Sequence, residues 1–240
     1  MKQTAYAALS CAAFFSLAGC GGSGSGNFSS CIVYKGLTYC TATSPYTGRT
    51  WLDRNLGATE ACTALDDANC FGDYYQWGRL ADGHEKADSN VSTALATDIA
   101  NAGSDFIKNA SAPYDWVQSG VDDDGSLRSA QWSKTDGTSV CPAGYRVPTK
   151  AELNAELFSA DHNITDKEDA FGTFLKLPSA GYRDNGNGTM SDVNTSGYLW
   201  STTVHNGIDG NYSYFAQYAE DANISTGPRA RGQAVRCILE

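Results

Sequence analysis

The chain has 240 residues, 18% of them charged, and a formal net charge of -10 at pH 7. This acidic balance, without any block of basic residues, argues against binding to nucleic acid and against charge-driven binding to anionic lipid headgroups. The roughly 210 residues that follow the N-terminal segment are enough for one domain with a well-buried core.

The first nineteen residues have the pattern of an export signal. Lys2 precedes an apolar run over 5–18 that is too short for a permanent membrane span. The run ends in L-A-G-C, which resembles the bacterial lipoprotein box, in which cleavage before the cysteine leaves Cys20 to carry lipid. The alternative is an ordinary secretory signal with a chance cysteine. Gly21 in place of Asp implies an outer-membrane lipoprotein, facing the periplasm or the cell surface and held to the membrane only by its lipid.

The rest of the chain is predicted to be a tether followed by one domain. Residues 20–30 are rich in Gly and Ser, as in flexible linkers, and residues 31–240 form the domain. Within it, residues 81–137 are polar with little periodicity and are predicted to be a long loop excursion. The excursion is expected to be held down by apolar side chains, namely Phe106, Ile107, Tyr114, Trp116 and Trp132.

One acidic run in this excursion offers ligands to calcium. The sequence V-D-D-D-G-S over 121–126 clusters three carboxylates. It lacks the alternating spacing and the downstream Glu of an EF-hand loop, and this favours a solvated turn over a calcium site.

Six cysteines remain once Cys11, in the signal, and Cys20 are set aside: Cys31, Cys40, Cys62, Cys70, Cys141 and Cys237. Fifteen connectivities are possible. The two close pairs, 31 with 40 and 62 with 70, suit local bridges and leave Cys141 for Cys237. That last bridge would close a loop of about 97 residues and remove roughly 4 to 5 kcal/mol of denatured-state freedom. Structural zinc is disfavoured, because there is no C-x-x-C and the three histidines have no ligand-like spacing.

The first half of the domain shows three local patterns. Alternation over Cys31 to Cys40 predicts a hairpin with Gly36 in its turn. The sequence T-W-L-D predicts a short strand that brings Trp51 inward. The segment 70–80 is predicted to be a short helix, whose Tyr74 and Trp77 are assigned to the core rather than to a ligand platform.

The second half alternates helix and strand signals. Thr149 and Glu152 form a capping box that starts a helix over about 150–159. A second capping box, T-D-K-E over Thr165 to Glu168, starts another helix that Pro178 ends. Three further segments are predicted to form a C-terminal antiparallel sheet: 197–203, 212–220 and 233–239. Two helices followed by strands indicate an α+β fold.

Seven blocks in this order resemble the Fibrobacter succinogenes major paralogous domain over nearly all of residues 31–240. They are T-W-L-D-R-N-L-G-A, F-G-D-Y-Y-Q-W-G-R-L-A-D-G-H-E, S-A-P-Y-D-W, C-P-A-G-Y-R-V-P-T-K-A-E-L, L-K-L-P-S-A-G-Y-R, Y-L-W-S-T-T and A-V-R-C-I. That family is similar to the C-type-lectin-like fold, in the variant shared with formylglycine-generating enzymes. The resemblance implies a twisted antiparallel or mixed sheet, two flanking helices and long loops, and it implies no established activity.

The segment 204–231 is rich in Asn, Asp, Gly, Ser and Tyr, the residue types that antibody loops use for recognition. It is therefore predicted to carry ligand recognition together with 182–192, while Trp200 belongs to the core. Loop and edge-strand filler is the alternative interpretation. The candidate ligand-binding residues are Tyr182, Asp184, Asn187, His205, Asn206, Asp209, Asn211, Tyr212 and Tyr214.

A non-catalytic binding or adhesion module for a glycan or a protein is the leading functional prediction. A structural surface or pilus-associated subunit is the alternative. An oxidase like the formylglycine-generating enzyme requires a reactive, copper-binding cysteine pair, whereas every mature cysteine here has a plausible structural partner. Calcium is the weaker possibility for a cofactor, because the E-P-N and W-N-D signatures of sugar-binding C-type lectins are missing.

Overall fold

The computed structural model describes residues 30–160, 162–206, 209–216 and 222–240. The predicted signal, Cys20 and most of the tether lie outside the described residues, as do 207–208 and 217–221. The described ranges hold three short α-helices and sixteen strands, most of them paired antiparallel in curled sheets. None of the helices in these ranges is long and apolar enough to cross a membrane.

The helices are α1 (Ser126–Trp132), α2 (Lys150–Leu157) and α3 (Lys167–Gly172), with a 3-10 turn over Ala68–Cys70. The strands in chain order are β1 (Cys31–Tyr34), β2 (Leu37–Thr43), β3 (Thr50–Leu52), β4 (Tyr75–Gln76), β5 (Val91–Ser92), β6 (Phe106–Ile107), β7 (Tyr145–Arg146), β8 (Phe158–Ser159), β9 (His162–Asn163), β10 (Tyr182–Arg183), β11 (Met190–Ser191), β12 (Gly197–His205), β13 (Asp209–Phe215), β14 (Ala222–Pro228), β15 (Gly232–Gln233) and β16 (Ile238–Leu239).

The predicted hairpin forms and opens a five-stranded sheet. Lys35 and Gly36 connect β1 to β2 with φ angles of 48° and 78°, the left-handed pair that a two-residue hairpin turn requires. The sheet order is β1-β2-β3-β16-β7, so the last strand of the chain lies between two earlier ones. Ile238 on β16 is paired with Trp51 on one side and with Arg146 on the other. Trp51 is fully buried, as predicted.

The prediction that residues 233–239 join the C-terminal sheet is wrong. The three-stranded sheet consists of β12, β13 and β14, whereas β15 pairs with β4 and β10, and β16 belongs to the first sheet. Between β15 and β16, the backbone carbonyls accept hydrogen bonds from three different segments of the chain. The carbonyl of Ala234 accepts from Trp200, that of Val235 from Leu56 and that of Cys237 from Leu52, at 2.9 to 3.0 Å. The final segment therefore connects several sheets instead of extending one.

All three predicted disulfides are present, linking Cys31 to Cys40, Cys62 to Cys70 and Cys141 to Cys237. The first crosses the hairpin between paired residues. The third is fully buried and fastens the turn before β7 to the segment before β16. It therefore closes the long loop that the spacing predicted.

The capping box of α2 is confirmed, since Thr149 accepts from the Glu152 amide and the Glu152 carboxylate accepts from the Thr149 amide. This helix ends at Leu157, earlier than predicted, because the next two residues pair with β9. The start of α3 was assigned to the wrong residue: its cap is Asp166, which accepts from the Asp169 amide. This helix ends at Gly172, well before Pro178.

The predicted helix over 70–80 does not form. Gly72 and Gly78 have φ angles of 79° and 74°, which a right-handed helix excludes, and β4 lies between them. The core assignment is nevertheless correct, because Tyr74 and Trp77 are buried. In the excursion, the predicted apolar anchors are buried except Tyr114, whose side chain is 41% exposed.

The acidic run of the excursion caps α1. The Asp122 carboxylate accepts from the amides of Leu127 and Arg128, at 3.0 and 3.2 Å, and from the Arg128 Nε at 2.8 Å. Its oxygens are thus already bonded within the chain, consistent with the turn interpretation.

Candidate functional site

One face of the three-stranded sheet carries a row of aromatic side chains. Tyr198 on β12 is paired with Tyr214 on β13, and Trp200 with Tyr212. Paired residues in an antiparallel sheet project to the same side, so all four rings lie on one face. The residues between them project to the opposite side of the sheet. There Leu199 and Phe215 form a buried cluster with Leu153 and Leu157 of α2 and Ala170 of α3.

We call the four residues Tyr182, Tyr198, Tyr212 and Tyr214 the tyrosine face. Tyr198 is at its centre, with ring centroids 5.1 Å from those of Tyr182 and Tyr214 and 5.7 Å from that of Tyr212. These separations are those of directly contacting aromatic pairs. Tyr198 and Tyr212 are 6% exposed, while Tyr182 and Tyr214 are half-buried. The outer end of the face, at Tyr182 and Tyr214, is therefore more accessible to solvent than its inner end.

Polar side chains on β14 border the open end. Asn223 lies opposite Tyr214 in the sheet register and Ser225 lies opposite Tyr212. Asn223 is exposed and Ser225 half-buried, and in the described ranges neither side chain has a hydrogen-bond partner. Both can donate and accept hydrogen bonds, so the rim can bind polar groups of a ligand.

The central tyrosine is fixed by a charged partner. The Tyr198 hydroxyl donates to Asp192 Oδ2 at 2.5 Å. Burial, together with this carboxylate, raises the pKa of Tyr198, so the phenol stays protonated. Tyr198 thus supports the face and keeps its neighbours in place.

Arg231 lies at the edge of the tyrosine face. Its guanidinium carbon is 4.3 Å from the centroid of the Tyr182 ring, a close cation–π contact. Its Nε is buried and has no acceptor in the part of the chain that the structure describes. Gly227 makes room beside it, because a Cβ at this position would lie 3.1 Å from Tyr212 Cε1 and 3.5 Å from Arg231 Nη1.

The structure brings together three of the nine predicted ligand-binding residues, Tyr182, Tyr212 and Tyr214. Tyr212 is only 6% exposed, because it packs edge-on against Trp200. Asn211 is also buried, at 1% exposed, and its Nδ2 donates to the Thr203 carbonyl.

The other predicted residues lie elsewhere. His205, Asn206 and Asp209 occupy the far end of the β12–β13 hairpin, where Asp209 is five residues, about 17 Å, along the strand from Tyr214. Asp184 and Asn187 shape the turn between β10 and β11, since their side chains accept from nearby backbone amides. These five residues are therefore not part of the tyrosine face.

Sequence reasoning missed Tyr198, Asn223, Ser225 and Arg231 as site residues. Tyr198 sits two positions before Trp200, and this period-2 spacing was the available signal. The contact of Arg231 with Tyr182 had no sequence signal, because Tyr182 is on β10 whereas Arg231 lies in the connection between β14 and β15, far along the chain.

A separate pocket lies at the excursion. This excursion pocket has a volume of about 560 Å³ and is lined by Ala112, Pro113, Tyr114, Asp115, Val117, Ser119, Asp123 and Arg229. At its base the charges are mutually paired: Asp115 accepts two bonds from Arg128, at 2.6 and 2.8 Å, and one from Arg229 at 3.3 Å. Both arginines also stack on the Trp77 ring. These groups hold the excursion together, although Arg229 Nε and Nη2 are buried without an acceptor among the described residues.

Asp82, His84 and Glu85 have potential metal-ligand atoms within 4.8 Å of one another. Both ring nitrogens of His84 are committed, since Nδ1 lies 2.6 Å from an Asp82 oxygen and Nε2 accepts from the Gln76 amide at 3.0 Å. Burial lowers the pKa of His84, and the neutral ring suits these two bonds. The cluster therefore fixes β4 and leaves no imidazole nitrogen for a metal.

Comparisons of the chain with models of protein families, with curated proteins and with solved structures found no match.

Proposed function

We propose that this chain is the binding module of a bacterial outer-membrane lipoprotein, anchored through Cys20. It has the C-type-lectin-like fold of the Fibrobacter succinogenes major paralogous domain and binds a glycan or protein ligand without catalysing a reaction. The observation that supports a binding role most directly is the tyrosine face, whose rings are fixed at the inner end and open at the outer end.

The chemistry of this face suits recognition. Tyrosine offers a large, rigid contact area at a small cost in conformational entropy, and its ring can stack on the C–H surface of a sugar or on an apolar side chain. Asn223 and Ser225 add hydrogen-bonding groups at the rim. Since the reverse side of the sheet is packed against two helices, the rings do not have to be ordered when the ligand binds.

Two observations favour binding over catalysis. The six cysteines in the described ranges all form disulfides, so none of them offers the thiolate that chemistry of the formylglycine-generating type requires. The buried histidine His84 is committed to Asp82 and to a backbone amide.

The test is an array of glycans and bacterial surface proteins probed with the full, detergent-solubilised chain, with and without calcium. We expect a ligand that binds the wild type and is lost or weakened in Tyr214→Ala. The same ligands should be retained by Tyr114→Asn, which removes an exposed tyrosine from the excursion pocket instead. Ligands that bind both variants as well as the wild type would contradict the proposed site.

A further inference from the structure

Arg231 differs from every other arginine of the chain. All nine arginines lie in the described ranges, and eight of them form hydrogen bonds or ion pairs with carboxylates, side-chain oxygens or carbonyls. The Arg231 side chain has neither a hydrogen bond nor an ion pair there, although the chain carries a net charge of -10. Among the described residues, the Arg231 guanidinium is therefore available to pair with an anionic ligand.

The surroundings of Arg231 orient its donors. The contact with the Tyr182 ring at 4.3 Å holds the guanidinium beside the aromatic surface, and the buried Nε has no acceptor among the described residues. A buried donor without a partner is unfavourable, and a ligand oxygen would relieve that cost. A planar guanidinium with parallel N–H groups matches a carboxylate or a phosphate, and a protein of net charge -10 repels the singly charged carboxylate less.

We propose that the tyrosine face recognises an acidic saccharide, with a sugar ring against the half-buried Tyr182 and Tyr214 and a uronate carboxylate paired with Arg231. This inference rests on the proposed binding function and names its ligand class. Asn223 and Ser225 are uncharged and suit sugar hydroxyls, whereas Arg231 is the single cation of the site. A glycan with isolated carboxylates among neutral sugars fits best, because the net charge of -10 repels a ligand with many negative charges.

The probes are oligosaccharides that end in glucuronate or galacturonate, each matched with the same compound after reduction of its carboxylate to a hydroxymethyl group. Binding to the full, detergent-solubilised chain is measured by calorimetry at two salt concentrations. We expect at least one acidic form to bind about tenfold or more tightly than its reduced partner, because each tenfold step corresponds to one charge-assisted hydrogen bond. That preference should weaken as salt is raised.

Three variants assign the preference to one side chain. Arg231→Gln should abolish the preference for the acidic form over the reduced form, while Arg231→Lys should retain only part of that preference, since an ammonium lacks the planar fork. Lys150→Gln is the matched control, because Lys150 is exposed and its loss changes the net charge equally. Its affinities should stay within about twofold of the wild type. Arg231→Lys also keeps the test valid should Arg231→Gln fold poorly.

Each other outcome overturns the inference in a recognisable way. If acidic and reduced forms bind equally and Arg231→Gln matches the wild type, the uronate assignment is wrong and the proposed binding function stands. If the acidic glycans do not bind but an acidic peptide binds through Arg231, the ligand class is wrong. If no glycan and no surface protein binds at all, the proposed function fails together with the inference.

Discussion

The ring of Trp200 meets the ring of Tyr212 edge-on, with 5.5 Å between their centroids. Trp200 is fully buried, and its Nε1 donates to the Tyr75 carbonyl at 2.8 Å. The inner end of the tyrosine face is therefore continuous with the core, and only its outer end is open. Substitutions at the two ends should consequently affect different properties of the protein.

The first prediction separates those ends by stability. Trp200→Ala removes a buried indole and leaves the Tyr75 carbonyl without its partner, so it should lower the free energy of unfolding by about 3 to 5 kcal/mol. Tyr214→Ala, at a half-buried position, should cost about 1 kcal/mol. Urea denaturation of both variants measures the difference. Equal losses of unfolding free energy would mean that Tyr214, like Trp200, belongs to the structural core.

The second prediction concerns the disulfides. Cysteines 141 and 237 are 96 residues apart in sequence, whereas 31 and 40 are only 9 apart. The loop-closure entropy of a disulfide grows with loop length. Replacing Cys141 and Cys237 by Ala should therefore lower the free energy of unfolding by about 2 kcal/mol more than replacing Cys31 and Cys40. Denaturant unfolding of the two double variants gives this difference. Equal costs would show that loop length does not govern the contribution of these bridges.

The third prediction concerns acid stability. Burial alone would raise the pKa of Glu152, but hydrogen bonds from Arg146, at 2.7 and 2.8 Å, and from Thr149 outweigh it and lower the pKa to about 2. A carboxylate with a depressed pKa stabilises the fold fully above its unfolded pKa, near 4.5, and this contribution disappears as the pH falls toward about 2.

Glu152→Gln tests that contribution, since Gln keeps the capping box but not the charge. At pH 7 it should lose about 1 to 2 kcal/mol, less than the full shift implies, because Arg146 is partly exposed and solvent screens the pair. Urea unfolding curves of variant and wild type should converge as the pH is lowered from 4.5 toward 2.5. A constant difference over that range would show that the charge is not responsible.

The fourth prediction uses two glycines of the same sheet. A Cβ at Gly197 would lie 2.0 Å from Phe215 Cε2 and 2.7 Å from the Pro178 carbonyl oxygen, so Gly197→Ala should strongly destabilise the core. A Cβ at Gly227 meets only the Tyr212 ring closely, at 3.1 Å, and Arg231 at 3.5 Å. Gly227→Ala should therefore lower the melting temperature much less than Gly197→Ala does, and it should weaken ligand binding by displacing Tyr212 and Arg231. Melting temperature and ligand affinity are measured for both variants. A Gly227→Ala protein with a strongly lowered melting temperature and normal affinity per folded molecule would contradict the assignment of Gly227 to the binding face.

The sequence predicted those features of the fold that depend on local patterns. The hairpin at Gly36, the cap at Thr149 and the three disulfides follow from turn chemistry, capping and cysteine spacing. The segment 70–80 was misassigned because its aromatic spacing suited a helix, while two glycines with positive φ placed a short strand there. Residues 232–239 pass through three sheets, and this path depends on pairing with strands that are distant in sequence. The alternation of apolar and polar residues along one strand does not show which strand it will pair with.

The candidate site was predicted in part for the same reason. Composition identified the tyrosine-rich region but could not separate buried Tyr212 from half-buried Tyr214, which share one strand face. The difference arises because Tyr212 packs on Trp200 while Tyr214 lies nearer the end of the strand. The unpaired state of Arg231 depends on where every acidic residue lies in space, so it was apparent only from the structure.

The comparison that tests the central claim most directly is ligand affinity in Tyr214→Ala against Tyr114→Asn. Both positions carry partly exposed tyrosines, but one lies on the tyrosine face and the other in the excursion pocket. Asn tolerates the left-handed backbone of Tyr114, whose φ is 58°, so the second variant should remain folded. We predict at least a tenfold loss of affinity, about 1.4 kcal/mol, for Tyr214→Ala and a change within twofold for Tyr114→Asn. The reverse result would place recognition in the excursion pocket and contradict the account.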